Sequence, residues 1–339
     1  MMKKVSIRDI AKKAGVVPST VSFVLNGKAK EMRISESLAE KIRNIADETG
    51  YTPHRAAVSL RTGKTHILGL IVEDISNVFF AGLARTIEEE AYQSGYRMVY
   101  CSTANDPVKG KELLKMLIDQ QVDGFLITPS AGMEEDLEKL QNAGKPVVLM
   151  DRYFEGSRLP RVLVDNYQGV KMAVEHFILK GYKNIGFVTV DLQQIQMQER
   201  LRGYEETLQN SGLKINKENI LTLNYNRKGS EAVQDITTWL KKPNHPDAIL
   251  FATNYLGISG LEAIRNLGLK IPDDVAVICF DDHDLFRYYS PAITIIDQPV
   301  EKIARNAVKI LLGNIKKKKN SEEISSILEA PVLIERASV

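Results

Sequence analysis

The sequence predicts an α/β protein: a two-lobed core of doubly wound parallel sheets follows a small all-α domain that contains a helix-turn-helix. From residue 67 onward, short runs of Val, Ile and Leu alternate with amphipathic helical patterns, as in parallel sheets covered on both faces. This alternation occurs twice in tandem, which indicates two lobes. A basic segment with helical spacing precedes both series, which indicates a separate head.

The charge of the chain is divided unevenly along its length. Residues 1–64 contain 13 Lys or Arg and 6 Asp or Glu, whereas residues 65–339 contain 32 basic and 37 acidic residues. The head therefore carries a net charge of +7 and the remainder −5. A basic head on a mildly acidic body indicates that the head meets phosphate and the body does not.

The stretch from Val5 to Asn26 has the pattern of a helix-turn-helix. Ser6 is placed to cap a first helix, which Gly15 ends. Pro18 suits the first turn of a second helix, because its missing N–H would be unpaired there. Several residues of this second helix are expected to face outward: Ser19, Thr20, Ser22, Phe23 and Asn26. Such a helix fits the major groove of B-DNA, although any small helical hairpin has a similar pattern.

A basic loop that contains Lys28 and a third helix over about 35–49 complete the predicted head. Residues 54–63 then form an Ala-rich, basic segment that is too short to be a stable helix alone. Leu60 is its only large aliphatic residue near the end. This segment is either a linker whose leucine packs against a neighbour or a hinge helix that inserts Leu60 between base steps of the minor groove.

The core is expected to contain eight main strands and the helices between them. The strand-like runs are 67–72, 97–101, 124–128 and 146–150, then 185–190, 220–223, 248–252 and 275–280. The helical patterns lie near 79–94, 109–120, 134–142, 169–180, 199–210, 229–240, 256–267 and 300–312, before last strands near 324–334. The predicted domains are a head over 1–50, a hinge over 51–65, a first lobe over 66–163 plus about 294–323, and a second lobe over 164–293 plus about 324–339.

Open α/β sheets bind ligands beyond the carboxyl ends of their strands. The loops there contain carboxylates, amides, arginines and aromatic rings: Phe79, Phe80, Asp151, Arg152, Gln196, Arg200, Tyr225, Asn254 and Asp281. Any one of them is also typical of an ordinary strand end or helix cap. Together they favour a site for a small ligand with hydroxyls, because rings cover its apolar face while charged groups bind its edges.

Other function classes find little support in the sequence. It contains no nucleophile elbow, Walker loop or dinucleotide glycine fingerprint, and its five histidines lack metal-ligand spacing. Cys101 and Cys279 lie in separate apolar runs, as expected of buried free thiols in a reducing compartment. No signal peptide or membrane-spanning run is evident. We therefore expect a cytoplasmic protein without catalysis, cofactor or metal. A doubly wound enzyme and a periplasmic solute-binding protein are the alternatives.

Several segments resemble the LacI/GalR family of bacterial transcription regulators: IRDIAKKAGV, TVSFVLNG, GYTPHRAAVSLRTG, ILGLIVEDISNVFF, RLRGY, GLKIPDDVAVICFDD and SPAITIIDQP. The resemblance implies a periplasmic-binding-protein-like core, a hinge helix, and a homodimer on a pseudo-palindromic operator. By this resemblance, Leu60 is the minor-groove wedge, and Arg200 and Asp281 line an effector cleft. The predicted DNA contacts are Ser6, Pro18, Ser19, Thr20, Ser22, Phe23, Asn26, Lys28, Arg55, Ala57 and Leu60.

The sequence also departs from that family's pattern. Val17 stands where a serine commonly caps the recognition helix, and Phe23 stands where arginine is frequent. Phenylalanine cannot donate a hydrogen bond to guanine but can contact a thymine methyl. Asn254 replaces a common acidic residue. We expect a repressor controlled by a sugar or sugar derivative, with a nucleobase or nucleoside as the alternative effector.

Overall fold

The computed structural model describes residues 5–51, 63–191, 194–227, 229–316 and 326–339. The chain divides into two compact units, residues 1–65 and residues 66–339. Three residues predicted to contact DNA, Arg55, Ala57 and Leu60, lie outside the described residues.

The head is a three-helix unit around a small apolar core. Its helices are α1 (Ile7–Ala14), α2 (Pro18–Leu25) and α3 (Glu36–Glu48). The fully buried side chains at its centre come from all three helices: Ile10 from α1, Val21 from α2, and Ala39 and Ile42 from α3. The Ser6 side chain accepts from the Asp9 N–H, and the Asp9 carboxylate accepts from the Ser6 N–H at 2.8 Å. This reciprocal cap satisfies N–H groups that the first turn leaves unpaired.

The core contains two six-stranded sheets. The first has the order β11-β5-β4-β3-β1-β2 and is parallel throughout. Its strands are β1 (Ile67–Val72), β2 (Arg97–Ser102), β3 (Gly124–Ile127), β4 (Val147–Met150), β5 (Arg161–Val164) and β11 (Ser326–Glu329). Its helices are α4 (Val78–Gln93), α5 (Pro107–Asp119), α6 (Glu134–Asn142) and α12 (Val300–Lys316).

The second sheet has the matching order β12-β10-β9-β8-β6-β7, and only β12 runs antiparallel. Its strands are β6 (Ile185–Val190), β7 (Ile220–Leu223), β8 (Ala248–Phe251), β9 (Ala276–Phe280), β10 (Thr294–Asp297) and β12 (Val332–Ile334). Its helices are α7 (Asn166–Leu179), α8 (Ile195–Asn210), α9 (Ser230–Leu240), α10 (Asn254–Leu267) and α11 (Asp284–Tyr288). A separate apolar cluster covers each face of both sheets, so the predicted fold class is confirmed.

The strand pairing differs from the predicted lobe boundaries at two places. β10 lies in the range predicted for the first lobe but pairs in the second sheet. β11 lies in the range predicted for the second lobe but pairs with β5 in the first sheet. The chain therefore crosses between the lobes three times, after β5, β10 and β11. A strand of three or four residues is too short to carry a sequence pattern that identifies its sheet. Tertiary packing therefore determines which strands it pairs with.

Candidate functional site

The outward surface of α2 in the head presents the predicted recognition residues. Ser19 and Asn26 are exposed, and the other three, Thr20, Ser22 and Phe23, are half-buried. Side chains in these positions can reach the base edges of a groove, where sequence is read. The structure places the predicted contacts Ser6, Pro18 and Lys28 on the exposed surface as well.

The two ends of α2 differ from those of α1. Val17 is the N-cap residue and makes no side-chain hydrogen bond, so α2 begins at Pro18 without the polar cap that Ser6 gives α1. At the other end, the Asn26 amide donates to the Ser22 carbonyl oxygen at 2.5 Å. Asn26 thus helps to end the helix in addition to its predicted contact with DNA.

A cluster of charged side chains lies at the carboxyl ends of the core strands, where the two lobes meet. Glu73 follows β1, and its carboxylate accepts hydrogen bonds from the Arg152 guanidinium and from the Tyr225 hydroxyl, the latter at 2.8 Å. Arg152 belongs to the first lobe and Tyr225 to the second. Glu73 therefore joins the lobes through a charged acceptor, whose hydrogen bonds are stronger than neutral ones.

Two further hydrogen-bond pairs cross between the lobes. The Asn77 and Asn254 amides exchange hydrogen bonds of 3.2 and 3.3 Å. The Gln194 amide donates to the Asn105 oxygen at 3.0 Å, and this oxygen also accepts from Arg152 at 2.7 Å. Glu73, Arg152, Asn105, Gln194 and Tyr225 thus form one network across the cleft, and the Asn77–Asn254 pair is a separate link between the lobes.

Arg200 is the most deeply buried charged group of this region, with 2% of its surface exposed. Its guanidinium donates to the Asn166 side chain at 2.8 Å and to the Ala252 carbonyl at 2.5 Å. The same group lies 3.6 Å from the centre of the Phe280 ring and 4.0 Å from the Asp281 carboxylate. Hydrogen bonds, ring stacking and a nearby carboxylate together offset the cost of burying its charge.

Asp151 and Asp281 occupy equivalent places in the two lobes. Each directly follows its strand, β4 or β9, with a left-handed backbone whose φ is 66° or 72°. Burial raises the pKa of Asp281 to about 6, with Arg200 and the Gln298 amide acting in the opposite direction. Burial also raises the pKa of Asp151, against the attraction of Arg152. The cleft therefore holds two carboxylates whose charged forms are disfavoured.

All nine residues predicted for the effector site line two adjoining cavities. Seven line a cavity of about 40 Å³: Phe79, Phe80, Asp151, Arg152, Gln196, Arg200 and Asp281. The other two, Tyr225 and Asn254, line a cavity of about 330 Å³. Glu73, Asn77 and Tyr255 belong to both, so the two cavities form one region.

The site also contains residues that the predicted set omits. Glu73 directly follows the first predicted strand, so its position alone was a usable signal. Gln298 follows β10, a strand that no sequence pattern predicted, and Tyr255 is the second residue of α10. Only the folded chain brings these two residues to the cleft.

Among the described residues, no group of three or more His, Cys, Asp and Glu side chains could hold a metal ion. In the same part of the chain, no helix combines the length and apolar character needed to cross a membrane.

Two family models match separate parts of the chain. Residues 6–54 match the bacterial regulatory proteins of the lacI family, and residues 174–339 match a periplasmic binding protein-like domain. The HTH-type transcriptional repressor PurR of Vibrio parahaemolyticus is 31% identical over 320 residues, 94% of each chain. The PurR of Aliivibrio fischeri strain MJ11 is 30% identical over 335 residues, 98% of each chain.

Solved structures share the fold. A putative ribose operon repressor from Burkholderia thailandensis superposes with a TM-score of 0.71 at 26% identity, covering 79% of this chain and 98% of that one. The lac repressor dimer bound to operator and an anti-inducer superposes with a TM-score of 0.86 at 21% identity, covering 99% of both chains.

Proposed function

The chain belongs to the LacI family of bacterial regulatory proteins, and we propose that it is a transcription repressor whose operator affinity is set by a small effector bound between its two core lobes. The observation that carries this proposal is the network across the cleft, in which Glu73 and Tyr225 join the lobes at 2.8 Å. A ligand that enters there changes contacts in both lobes at once.

We infer that the head supplies the DNA contacts. Lys and Arg side chains of the head neutralise phosphates and provide affinity, and the α2 residues Ser19, Thr20 and Phe23 read base edges. The chain acts as a homodimer, so its two heads read half-sites about 10 bp apart in a pseudo-palindromic operator. Leu60 is the proposed minor-groove wedge, which kinks the duplex at a cost of a few kcal/mol per step.

The effector that fits the lining is a sugar or a sugar derivative. Arg200, Asp281 and Asp151 offer donors and acceptors for the hydroxyls of a sugar. The rings of Phe79 and Phe80 pack edge to face, with 5.0 Å between their centroids, and can cover the apolar face of the sugar. The related Burkholderia protein is described as a putative ribose operon repressor, which is consistent with this class.

A nucleobase or nucleoside is the second candidate, and the aromatic lining favours it. Phe79, Phe80, Tyr225 and Tyr255 all border the two adjoining cavities, and a planar base would stack on such rings. The relatives at 30 to 31% identity carry the name PurR. The hydroxyl-binding carboxylates and arginines favour the sugar.

The effector acts by linkage. It shifts operator affinity only as far as its affinities for the two lobe arrangements differ, typically by ~1–3 kcal/mol. The protein has no chemistry of its own in this scheme and works in the cytoplasm, where its operator lies.

The test is selection of duplexes from random DNA by the full-length chain, followed by titration against bulk genomic competitor. We expect one pseudo-palindrome to be enriched and bound about 1,000-fold or more tightly than the competitor. Thr20→Ala should weaken binding to the selected duplex more than to the competitor, whereas Lys109→Ala, an exposed control on α5, should change neither. If no duplex is preferred, with or without added sugars and nucleosides, the proposal is wrong.

A further inference from the structure

The charges of the buried cleft do not cancel. Three carboxylates line the 40 Å³ cavity, those of Glu73, Asp151 and Asp281, together with the guanidiniums of Arg152 and Arg200. No Lys or His side chain appears among the described residues that line it. The cavity therefore has one more carboxylate than cation, and a charge without a buried partner is costly.

Each of the three nitrogens of the Arg152 guanidinium already donates to a protein acceptor. Its Nε donates to Asp151 at 3.1 Å, and its two terminal nitrogens donate to Asn105 at 2.7 Å and to Glu73. An anionic ligand that paired with this arginine would therefore lie beside the two carboxylates that already accept from it, and they would repel it.

Arg200 offers little more to an anion. Its guanidinium is held by the Asn166 oxygen and the Ala252 carbonyl, and Asp281 lies 4.0 Å away. A phosphate that approached this guanidinium would also lie near the Asp281 carboxylate. Repulsion between the phosphate and this carboxylate would oppose the attraction of the phosphate to Arg200.

Two of the helix N-termini at the cleft are also capped by side chains of the protein, although Gln194 gives the N-terminus of α8 no such cap. The Phe79 N–H of α4 donates to the Asn77 side chain at 3.0 Å, and the Leu256 N–H of α10 donates to the Thr253 hydroxyl at 3.4 Å. Uncapped N–H groups would favour an anion. These two donors already have acceptors.

The buried atoms that remain to be satisfied include two acceptors. Gln196 and Gln298 line the 40 Å³ cavity and are 3% and 4% exposed. Among the described residues, neither side-chain oxygen has a hydrogen-bond partner. A hydroxyl or an ammonium group can donate to these oxygens, whereas an ionised carboxylate has only acceptors.

We propose that this cleft selects an uncharged or ammonium-bearing polyhydroxylated ligand and rejects the phosphorylated or carboxylated form of the same compound. The proposal rests on the effector function proposed above and narrows its ligand class. It excludes sugar phosphates, sugar acids and nucleotides as effectors.

The experiment measures binding to the full-length chain by calorimetry and thermal shift with matched compounds. The defined sets are glucose, glucosamine, glucose 6-phosphate and gluconate, and ribose with ribose 5-phosphate. In parallel, a bacterial metabolite extract is separated on a strong anion exchanger into flow-through and retained fractions. We expect stabilisation from the flow-through fraction, and affinity about 100-fold or more higher for a neutral or amino compound than for its anionic form.

The Glu73→Gln variant tests whether the extra carboxylate of the cavity causes the discrimination against anionic compounds. This variant leaves two carboxylates against two guanidiniums, so the discrimination between neutral and anionic compounds should narrow by about 10-fold or more. The matched control is Glu89→Gln on the exposed surface of α4, whose side chain is 57% exposed. It should leave the discrimination unchanged.

An anionic compound that binds as tightly as its neutral form, or stabilisation confined to the retained fraction, would overturn the proposal. Equal discrimination by Glu73→Gln and the wild type would overturn it as well. If no compound and neither fraction binds while the chain still selects a duplex, the proposed effector control is wrong. The proposed DNA binding is then unaffected. Failure of duplex selection would bring down the proposed function itself.

Discussion

The outward surface of α2 in the head and the cleft of the core differ in how far their polar and charged side chains are exposed to water. On α2, Ser19 and Asn26, two of the predicted DNA contacts, are exposed to water. In the cleft, Arg152 and Arg200 are 4% and 2% exposed, so each depends on protein partners. Substitutions in the head should therefore alter binding at little cost in stability, whereas those in the cleft should alter both.

Arg152→Met should have the largest effect. Removing the guanidinium leaves the Asp151 and Glu73 carboxylates buried without their common partner, which should cost about 3–5 kcal/mol of unfolding free energy at pH 7.5. Urea unfolding monitored through Trp239, the single tryptophan, measures it. Arg85→Met, which breaks an ion pair between side chains 82% and 57% exposed, should cost less than about 1 kcal/mol. Equal losses would contradict the contrast between buried and exposed charges.

Asp281→Asn should stabilise the core, and the gain should depend on pH. The folded pKa of Asp281 lies at about 6, above its ordinary value of 3.8, so the wild type loses stability as the pH rises from about 4 to 6 and the unfolded chain releases its proton first. The amide resembles the protonated acid, so the variant should gain only about 0.5 kcal/mol at pH 4 and about 3 kcal/mol at pH 7.5.

The free energy of unfolding of wild type and Asp281→Asn, measured across that pH range, checks this prediction. The control is Asp119→Asn at an exposed position, whose free energy of unfolding should differ from that of wild type by the same amount at every pH. A gain from Asp281→Asn that does not vary with pH would contradict the assigned cause. The variant should also lose the effector response, because Asp281 lines the cavity and is proposed to bind the hydroxyls of the effector.

Tyr225→Phe should cost about 1–2 kcal/mol. The ring stays in place, but Glu73 loses the hydrogen bond that joins it to the second lobe at 2.8 Å. Small-angle scattering of the unliganded core should show a more open average arrangement. Tyr92→Phe, a control at a side chain that is 62% exposed, should leave both unfolding and scattering unchanged. An unaltered core in Tyr225→Phe would mean that the other cross-lobe pairs suffice.

Phe23→Arg should change stability least, by about 0.5 kcal/mol or less, because the side chain lies at the half-buried recognition surface. Its operator preference should nevertheless shift toward guanine, since arginine donates two hydrogen bonds to that base. Selection from random duplexes measures the shift. An unchanged preference would assign Phe23 a packing role only.

The local features of both regions could be predicted from sequence. Ser6, Gly15 and Pro18 mark the two helices of the head, because caps and turns depend on residues a few positions apart. The runs 67–72, 185–190 and 220–223 coincide with β1, β6 and β7, because continuous apolar runs predict buried parallel strands. The strand-end rule then predicted nine of the residues that line the two adjoining cavities but not Glu73, Gln298 or Tyr255.

The sequence by itself determined the fold class, the basic head and the residues at the strand ends, because each depends on composition or on short-range spacing. Only the tertiary structure decided that β10 pairs in the second sheet and β11 in the first. It also decided that Glu73 accepts hydrogen bonds from both Arg152 and Tyr225, and that Gln298 donates a hydrogen bond to Asp281. These pairs are 17 to 152 residues apart in sequence. Burial and hydrogen bonding between such distant residues follow from the strand order within each sheet and from the meeting of the two lobes, which no local pattern encodes.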